Sequence, residues 1–143
     1  MTTAEAHRRQ GLYRVLLVRT VLAAMETWAA RKWRPNVIGR QMVRLGQGVP
    51  ANPPPGPLGI RSGDLARTVR HEKAVFARNR FRIPLKAGGG KVNYARIHEK
   101  GGMSGRGYIP KRPYMEPGFK ATRKDLNTGV QRDVDALTKK VFG

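Results

Sequence analysis

The sequence predicts an α+β fold: a long N-terminal helix, a small antiparallel sheet of three or four strands, and a C-terminal helix packed on one face of that sheet. Three observations carry this expectation. Apolar residues recur at three- and four-residue steps near both ends of the chain, the middle alternates with a period of two, and Gly, Pro and Asn separate the two regimes. The 143 residues fit one domain, because a second core would be too small to support itself. Its parts are a helix over 1–34, a Pro/Gly-rich extended connector over 35–60, a sheet region with mobile loops over 61–115, and a helix over 116–143.

In the first helix Val15, Val18, Leu22, Met25, Ala29 and Trp33 form a stripe, flanked by Leu12, Leu16, Val21 and Trp28. Thr2 or Thr3, with Glu5 or Ala6 downstream, supplies an N-cap; Pro35 should push Arg34 out of the helical region and end the run. The stripe reads first as core. Its width, with Trp28 and Trp33 near the C-terminal end, also makes these two residues a candidate subunit contact.

Between residues 46 and 63 stand five prolines and five glycines, so neither a helix nor a central strand can persist there. Such a segment tends to polyproline II geometry and acts as a semi-rigid spacer. Pro53, Pro54 and Pro55 either pack along the chain's own body or reach a neighbouring subunit, and the residues favour neither.

Gly63 occupies a tight turn that needs a positive φ, and the Asp64 side chain can bond back to nearby backbone. Leu65, or the run from Val69 to Phe76, then starts the sheet. Partial alternation over 68–76 and 80–86, with Phe81, Ile83 and Leu85 against Arg80, Arg82 and Lys86, describes strands with one wet face, and Asn79 marks the hairpin between them. Residues 86–91 read as a flexible loop and 92–99 as a short helix or turn. There Tyr94 and Ile97 would lock onto the sheet while His98 and Glu99 face outward. Four glycines within 101–107 make a second mobile loop.

Pro113 and Pro117 bracket the entry to the last helix, with Pro117 at a first helical position and Glu116 beside the helix's positive end. Phe119, Leu126, Val130, Leu137 and Val141 form its stripe, Lys139 and Lys140 fall in its final turn, and Gly143 ends it. Gly129 inside it costs about 1 kcal/mol relative to Ala, which marks either a close packing contact or a weak spot.

The net charge is +20, from 29 Lys and Arg against 9 Asp and Glu, and it divides as +7, +8 and +5 over residues 1–50, 51–100 and 101–143. A body charged throughout favours polyanions such as duplex DNA, RNA or an acidic protein surface; the plainer reading is a basic, solvated surface. There is no cysteine, so disulfides and thiolate metal sites are excluded. Arg8, Arg9, Arg14 and Arg19 interrupt the first apolar stretch and no 18 apolar residues run together, so a soluble chain made in the cytoplasm and without a membrane partner is expected.

Chemistry-bearing patterns are sparse. His7, His71 and His98 share no metal-ligand spacing, the His71-Glu72 and His98-Glu99 pairs are adjacent rather than co-facial, and Ser62 and Ser104 lie outside G-x-S-x-G. The Gly-rich loops lack the P-loop spacing and its Ser or Thr after Lys. The residues therefore point to no enzyme, no metal and no cofactor.

Three segments in fixed order remain: Arg61-Ser62-Gly63-Asp64-Leu65, residues 94–102 (Y-A-R-I-H-E-K-G-G) and residues 109–115 (I-P-K-R-P-Y-M). The arrangement resembles the tail-completion or head–tail joining proteins of long-tailed bacteriophages, a group that includes the virion-morphogenesis proteins of Mu-like phages. In that family "[ST]-G-x-L", "Y-A-x-x-H/E-x-G-G" and "I-P-x-R-P-[FY]" follow one another, and the matched region, residues 57–119, is under half of this chain. The motif positions are Ser62, Gly63, Leu65, Tyr94, Ala95, His98, Gly101, Gly102, Pro110, Arg112, Pro113 and Tyr114.

The resemblance implies a structural virion protein at the phage neck, made in the host cytoplasm. Copies would close into a ring, a hexamer, between the capsid connector and the tail tube, with adjoining neck proteins as partners and DNA passing non-specifically through the channel. Arg61, Arg80, Arg82, Lys91, Lys111 and Arg112 are then candidates to face DNA or an acidic partner ring. The Pro-rich insertion and the high charge depart from the family's pattern. The alternative is a free, non-specific nucleic-acid-binding protein, supported by the charge alone.

Overall fold

Helix α1 (Thr3–Trp28) starts on a capping box: Thr2 is extended (φ −76°, ψ 160°), its Oγ1 accepts the Glu5 N–H at 3.1 Å, and Glu5 Oε2 accepts the Thr2 N–H at 3.0 Å. The computed structural model describes residues 2–46, 50, 56–60, 62–89, 95–105 and 107–143, with the backbone alone for Ser104. Pro53, Pro54, Pro55, Arg61, Lys91 and Tyr94 lie outside the described residues.

Pro35 does not end the first helix. The run passes through a π-helical turn (Ala29–Trp33), α2 (Arg34–Asn36) and a second π-helical turn (Val37–Gln41) before Met42 turns extended. Arg34 stays helical (φ −58°, ψ −48°), and its N–H reaches back five residues to Ala29 O. A proline lacks the donor and collides with the carbonyl four residues before it. Widening the preceding turn relieves the collision and absorbs the missing bond. The Arg34 guanidinium Nε then donates to Val69 O at 2.7 Å, tying the rod to the sheet region.

Trp28 and Trp33 belong to the core, which corrects their assignment to a subunit contact. They are 4% and 0% exposed and pack with Ala29, Val37, Met42, Leu58, Leu65, Val69 and Tyr114. Trp28 Nε1 donates to Thr122 O at 2.8 Å, and Phe119 meets its ring edge-on at 6.0 Å. An indole at the end of a broad stripe carries no mark that distinguishes core from interface; here the helical run continues past it and wraps it.

Strands β1 (Met42–Arg44) and β2 (Leu58–Ile60) pair in parallel across the connector. After Gly63 (φ 78°), α3 (Asp64–Thr68) takes Leu65 into the core as a helical residue, so the sheet starts later, at β3 (Arg70–His71). Strand β3 pairs antiparallel with β6 (Leu85–Lys86), and β4 (Val75–Ala77) with β5 (Arg80–Arg82). These two ladders are one long hairpin interrupted midway. Pro84 can offer Glu72 only its carbonyl (2.9 Å), and residues 72–74 stand opposite residues 83–84, an extra residue that acts as a bulge. At the tip, Arg78 and Asn79 both have positive φ (53° and 58°), a two-residue type I′ turn at the hairpin that Asn79 marks.

Helix α4 (Ala95–Lys100) leads into a second hairpin, β7 (Gly102–Ser104) with β8 (Gly107–Ile109), where the glycines had suggested a loop. Among the described residues the strands thus form four two-stranded ladders, one of them parallel, rather than a single antiparallel sheet of three or four strands. Strands of two or three residues with few inward apolar side chains cannot recruit a third neighbour.

Helix α5 (Met115–Phe142) runs antiparallel along α1. Tyr13 meets Thr138 (hydroxyls 3.1 Å apart) and Phe142 at one end, and Trp28 meets Phe119 and Thr122 at the other. Between them Leu17, Val21, Leu22 and Met25 pack with Leu126, Val130 and Val134. The helix covers α1 instead of one face of a sheet. It starts one residue before the expected boundary, with Pro117 third, and it ends at Gly143 (φ 97°). No described helix is long and apolar enough to cross a membrane.

The close approach on α5 falls at Gly118, which is buried and whose added Cβ would overlap Val37 Cγ2; at Gly129 such a Cβ meets only the Arg132 guanidinium at 3.9 Å. Val37 is fully buried and β-branched, so it has little freedom to yield. Gly118→Val should therefore cost about 1–3 kcal/mol by overpacking. Gly129→Ala should stabilise by up to about 1 kcal/mol. Thermal unfolding of the two variants checks this: midpoints displaced in opposite directions agree, and a neutral Gly118→Val contradicts it.

Candidate functional site

A helix leaves its first N–H groups without intrahelical acceptors, and α5 begins with no cap from its own flanking side chain. The acceptor comes from α4. Glu99 Oε2 takes the N–H groups of Tyr114 (2.6 Å) and Met115 (3.1 Å), and Oε1 takes that of Glu116 (3.1 Å). Glu99 is only 9% exposed, so its placement on the outer side of the segment is corrected. A buried carboxylate is tolerated where several donors and the positive end of a helix meet it.

The second and third motifs are joined by further bonds. Tyr114 is 1% exposed and its hydroxyl donates to Ala95 O at 2.8 Å; the Arg112 N–H donates to His98 O at 2.8 Å. Gly101 closes α4 at φ 73°, its N–H donating to Ile97 O at 2.7 Å. A Cβ there would stand 3.0 Å from the Lys111 backbone nitrogen. Burial and, secondarily, the nearby Glu99 charge push the Tyr114 hydroxyl up to about 12. Pro110, Arg112 and Pro113 are half-buried along this seam, and Gly102 (φ 145°) opens β7.

The first motif meets the second across a cavity of about 240 Å³ lined by Leu58, Gly59, Ile60, Ser62, Gly63, Leu65 and His98. Ser62 Oγ accepts the Asp64 N–H at 3.3 Å, and Gly63 O accepts the Arg67 N–H at 3.0 Å. Burial, and after it the Arg112 charge, hold His98 below its ordinary value of 6.5, so the ring favours the neutral form. The described members of all three motifs thus build one clasp around the start of α5.

The charged candidates are dispersed. Arg80 and Arg82 stand exposed on β5, and Lys111 is exposed between β8 and α5. Arg112 is half-buried, and its Nε is enclosed without an acceptor among the described residues. No group of three His, Asp or Glu suited to a metal ion occurs among the described residues. Sequence reasoning missed Arg78 and the exposure of Phe76 and Phe81, whose ring centroids lie 4.6 Å apart with the planes tilted by 38°. The symmetry of Val75-Phe76-Ala77-Arg78-Asn79-Arg80-Phe81-Arg82 about its turn was the available signal, because a two-residue turn sets 76 opposite 81.

No family model, curated protein or solved structure matches this chain.

The His98 environment sets a pH dependence. With its pKa lowered in the folded state, the unfolded chain binds more protons just below pH 6.5, so stability is full above that value and declines as the pH falls through the folded pKa. His98→Gln should flatten the decline in chemical-denaturation midpoints measured from pH 7 to about 5. Identical slopes in parent and variant would contradict the assignment.

Proposed function

We propose that this chain is a structural protein of the bacteriophage neck, a tail-completion or head–tail joining component whose copies close into a ring, a hexamer, through which DNA passes. The observation that carries the reading is the clasp. Three motifs that resemble that family's in type and order are not scattered decorations here; the second and third are hydrogen-bonded to each other at the entry to α5, and the first lines a cavity together with His98. Residues spent on holding a helix start suit an assembly part better than a catalyst.

A closed ring needs head-to-tail contacts, so each subunit must offer two different patches. With the tryptophans buried, exposed apolar candidates include Met103 and Tyr108 on the β7–β8 hairpin (73% and 68% exposed), Leu12 and Val15 on α1 (53% each) and the Phe76–Phe81 pair (39% and 37%). Copies carrying +20 each repel one another, and a polyanion in the channel offsets that repulsion. A second reading, a free non-specific nucleic-acid-binding protein, is favoured by that same charge.

Two measurements separate the readings. Native mass spectrometry of the purified chain with short duplex DNA should give a closed ring of one stoichiometry, and virions lacking the chain should yield full heads with unattached tails. Normal virion assembly without the chain would sink the neck reading. Sequence discrimination of several hundredfold in DNA binding would point to a dedicated regulator instead.

A further inference from the structure

The β4–β5 hairpin has two unlike faces. Pairing of Val75 with Arg82 and Ala77 with Arg80 sets both arginines on one face, while Phe76 and Phe81 occupy the other. Arg78 at the tip joins Arg80 and Arg82 around a groove of about 490 Å³ completed by Val75 and Ala77, with no carboxylate in its wall. Among the described residues four other cations pair with carboxylates: Arg67 with Asp64, Lys86 with Glu72 (2.7 Å), Lys120 with Glu116 (3.1 Å) and Arg132 with Asp133 (3.2 Å). The three hairpin arginines have no ion pair or side-chain hydrogen bond among the described residues.

We propose that this hairpin is the DNA-contacting finger of the protein, with Arg78, Arg80 and Arg82 binding phosphates of duplex DNA. It rests on DNA being a partner, as proposed above, and assigns that contact to one element. Arg80 and Arg82 are separated by a two-residue strand step, about 6.6 Å. Three arginines without a carboxylate partner, set within five residues of one hairpin, favour a dense row of anions. Duplex DNA presents one charge per roughly 1.7 Å of axis, and its major groove, about 12 Å wide, admits a two-stranded ribbon. Guanidinium groups suit phosphate through paired N–H donors, and contacts of this kind carry no sequence information. Lys111 and Arg112 fall outside the finger, and Arg112 is partly committed to the clasp.

The test is a salt titration of the full chain on an arbitrary duplex of about 30 base pairs, followed by fluorescence anisotropy. Replacing Arg78, Arg80 and Arg82 together by Ser should lower the slope of log affinity against log salt by about 2.7, at 0.9 per phosphate released. Replacing Arg8, Arg9 and Arg14 by Ser removes the same charge from exposed positions of α1 and should change the slope far less. A triple Arg-to-Lys hairpin variant should retain most of the slope, which separates lost charge from a lost fold.

Equal losses from the two Ser triples would overturn the proposal in favour of diffuse charge. Tighter binding to single strands than to duplex would overturn it too. So would a hairpin triple that loses binding to polyglutamate but not to DNA, which would identify an acidic protein as the occupant. Failure of the neck reading is distinguishable, because normal virion assembly without the chain would leave these slopes as they are.

Discussion

Three backbone N–H groups at the start of α5 and one carboxylate, that of Glu99, hold this structure in register. Helix α5 is 28 residues long, and it enters between Pro113 and Pro117 without a capping side chain of its own. Glu99 supplies the missing acceptors from a six-residue helix that could not stand alone. Each element satisfies the other's deficit: α4 gains an anchor, and α5 gains a fixed origin. From that origin the direction of α5 along α1 follows, and with it the pairing of Trp28 with Phe119 and of Tyr13 with Phe142. The clasp also presses Tyr114 into the core beside Trp33, so the polar and apolar parts of the fold close at the same place.

The same economy shapes the surface. With few apolar residues to share, the chain concentrates its core at the α1–α5 junction and under the clasp, anchors the base of the β4–β5 hairpin there through Ala74 and Ile83, and leaves the residues of β4 and β5 themselves exposed. The exposed hairpin carries arginines around a groove with no competing carboxylate in its wall. A structural protein that accepts any DNA sequence, the role proposed for this chain, needs this arrangement more than it needs a pocket. The reading of the neck ring and the reading of the finger therefore draw on different features: motif residues that converge inside, and charge that is left unpaired outside.

Elements fixed by short-range chemistry were legible in the sequence. Thr2 with Glu5 announced the helix start, Asn79 the hairpin, Gly63 the left-handed turn and Gly143 the helix end, because each depends on two to four neighbouring residues. What the sequence concealed depends on distant partners. Pro35 breaks a helix by local rules, yet a π turn absorbs it once Arg34 and Val37 have places to bind and pack. Glu99, beside His98 and Lys100, looked like a solvated charge; only the arrival of α5 from 15 residues downstream makes it buried. Gly118 was hidden for the same reason, since the Val37 side chain that excludes a Cβ there belongs to another helix. The strands over 68–76 and 80–86 and their hairpin were located, whereas the β1–β2 and β7–β8 pairs were not, as runs of two or three residues contain too little pattern to mark a strand.

The dependence of the fold on the Glu99 carboxylate is open to direct measurement by native-state hydrogen exchange at the amides of Tyr114, Met115 and Glu116. If the carboxylate holds them, all three exchange as slowly as the middle of α5, and Glu99→Ala releases these three selectively while amides along the α1–α5 contact keep their protection. Exchange in the parent as fast as at the exposed first turn of α1, or protection unchanged in Glu99→Ala, would show that the start of α5 is held by something else.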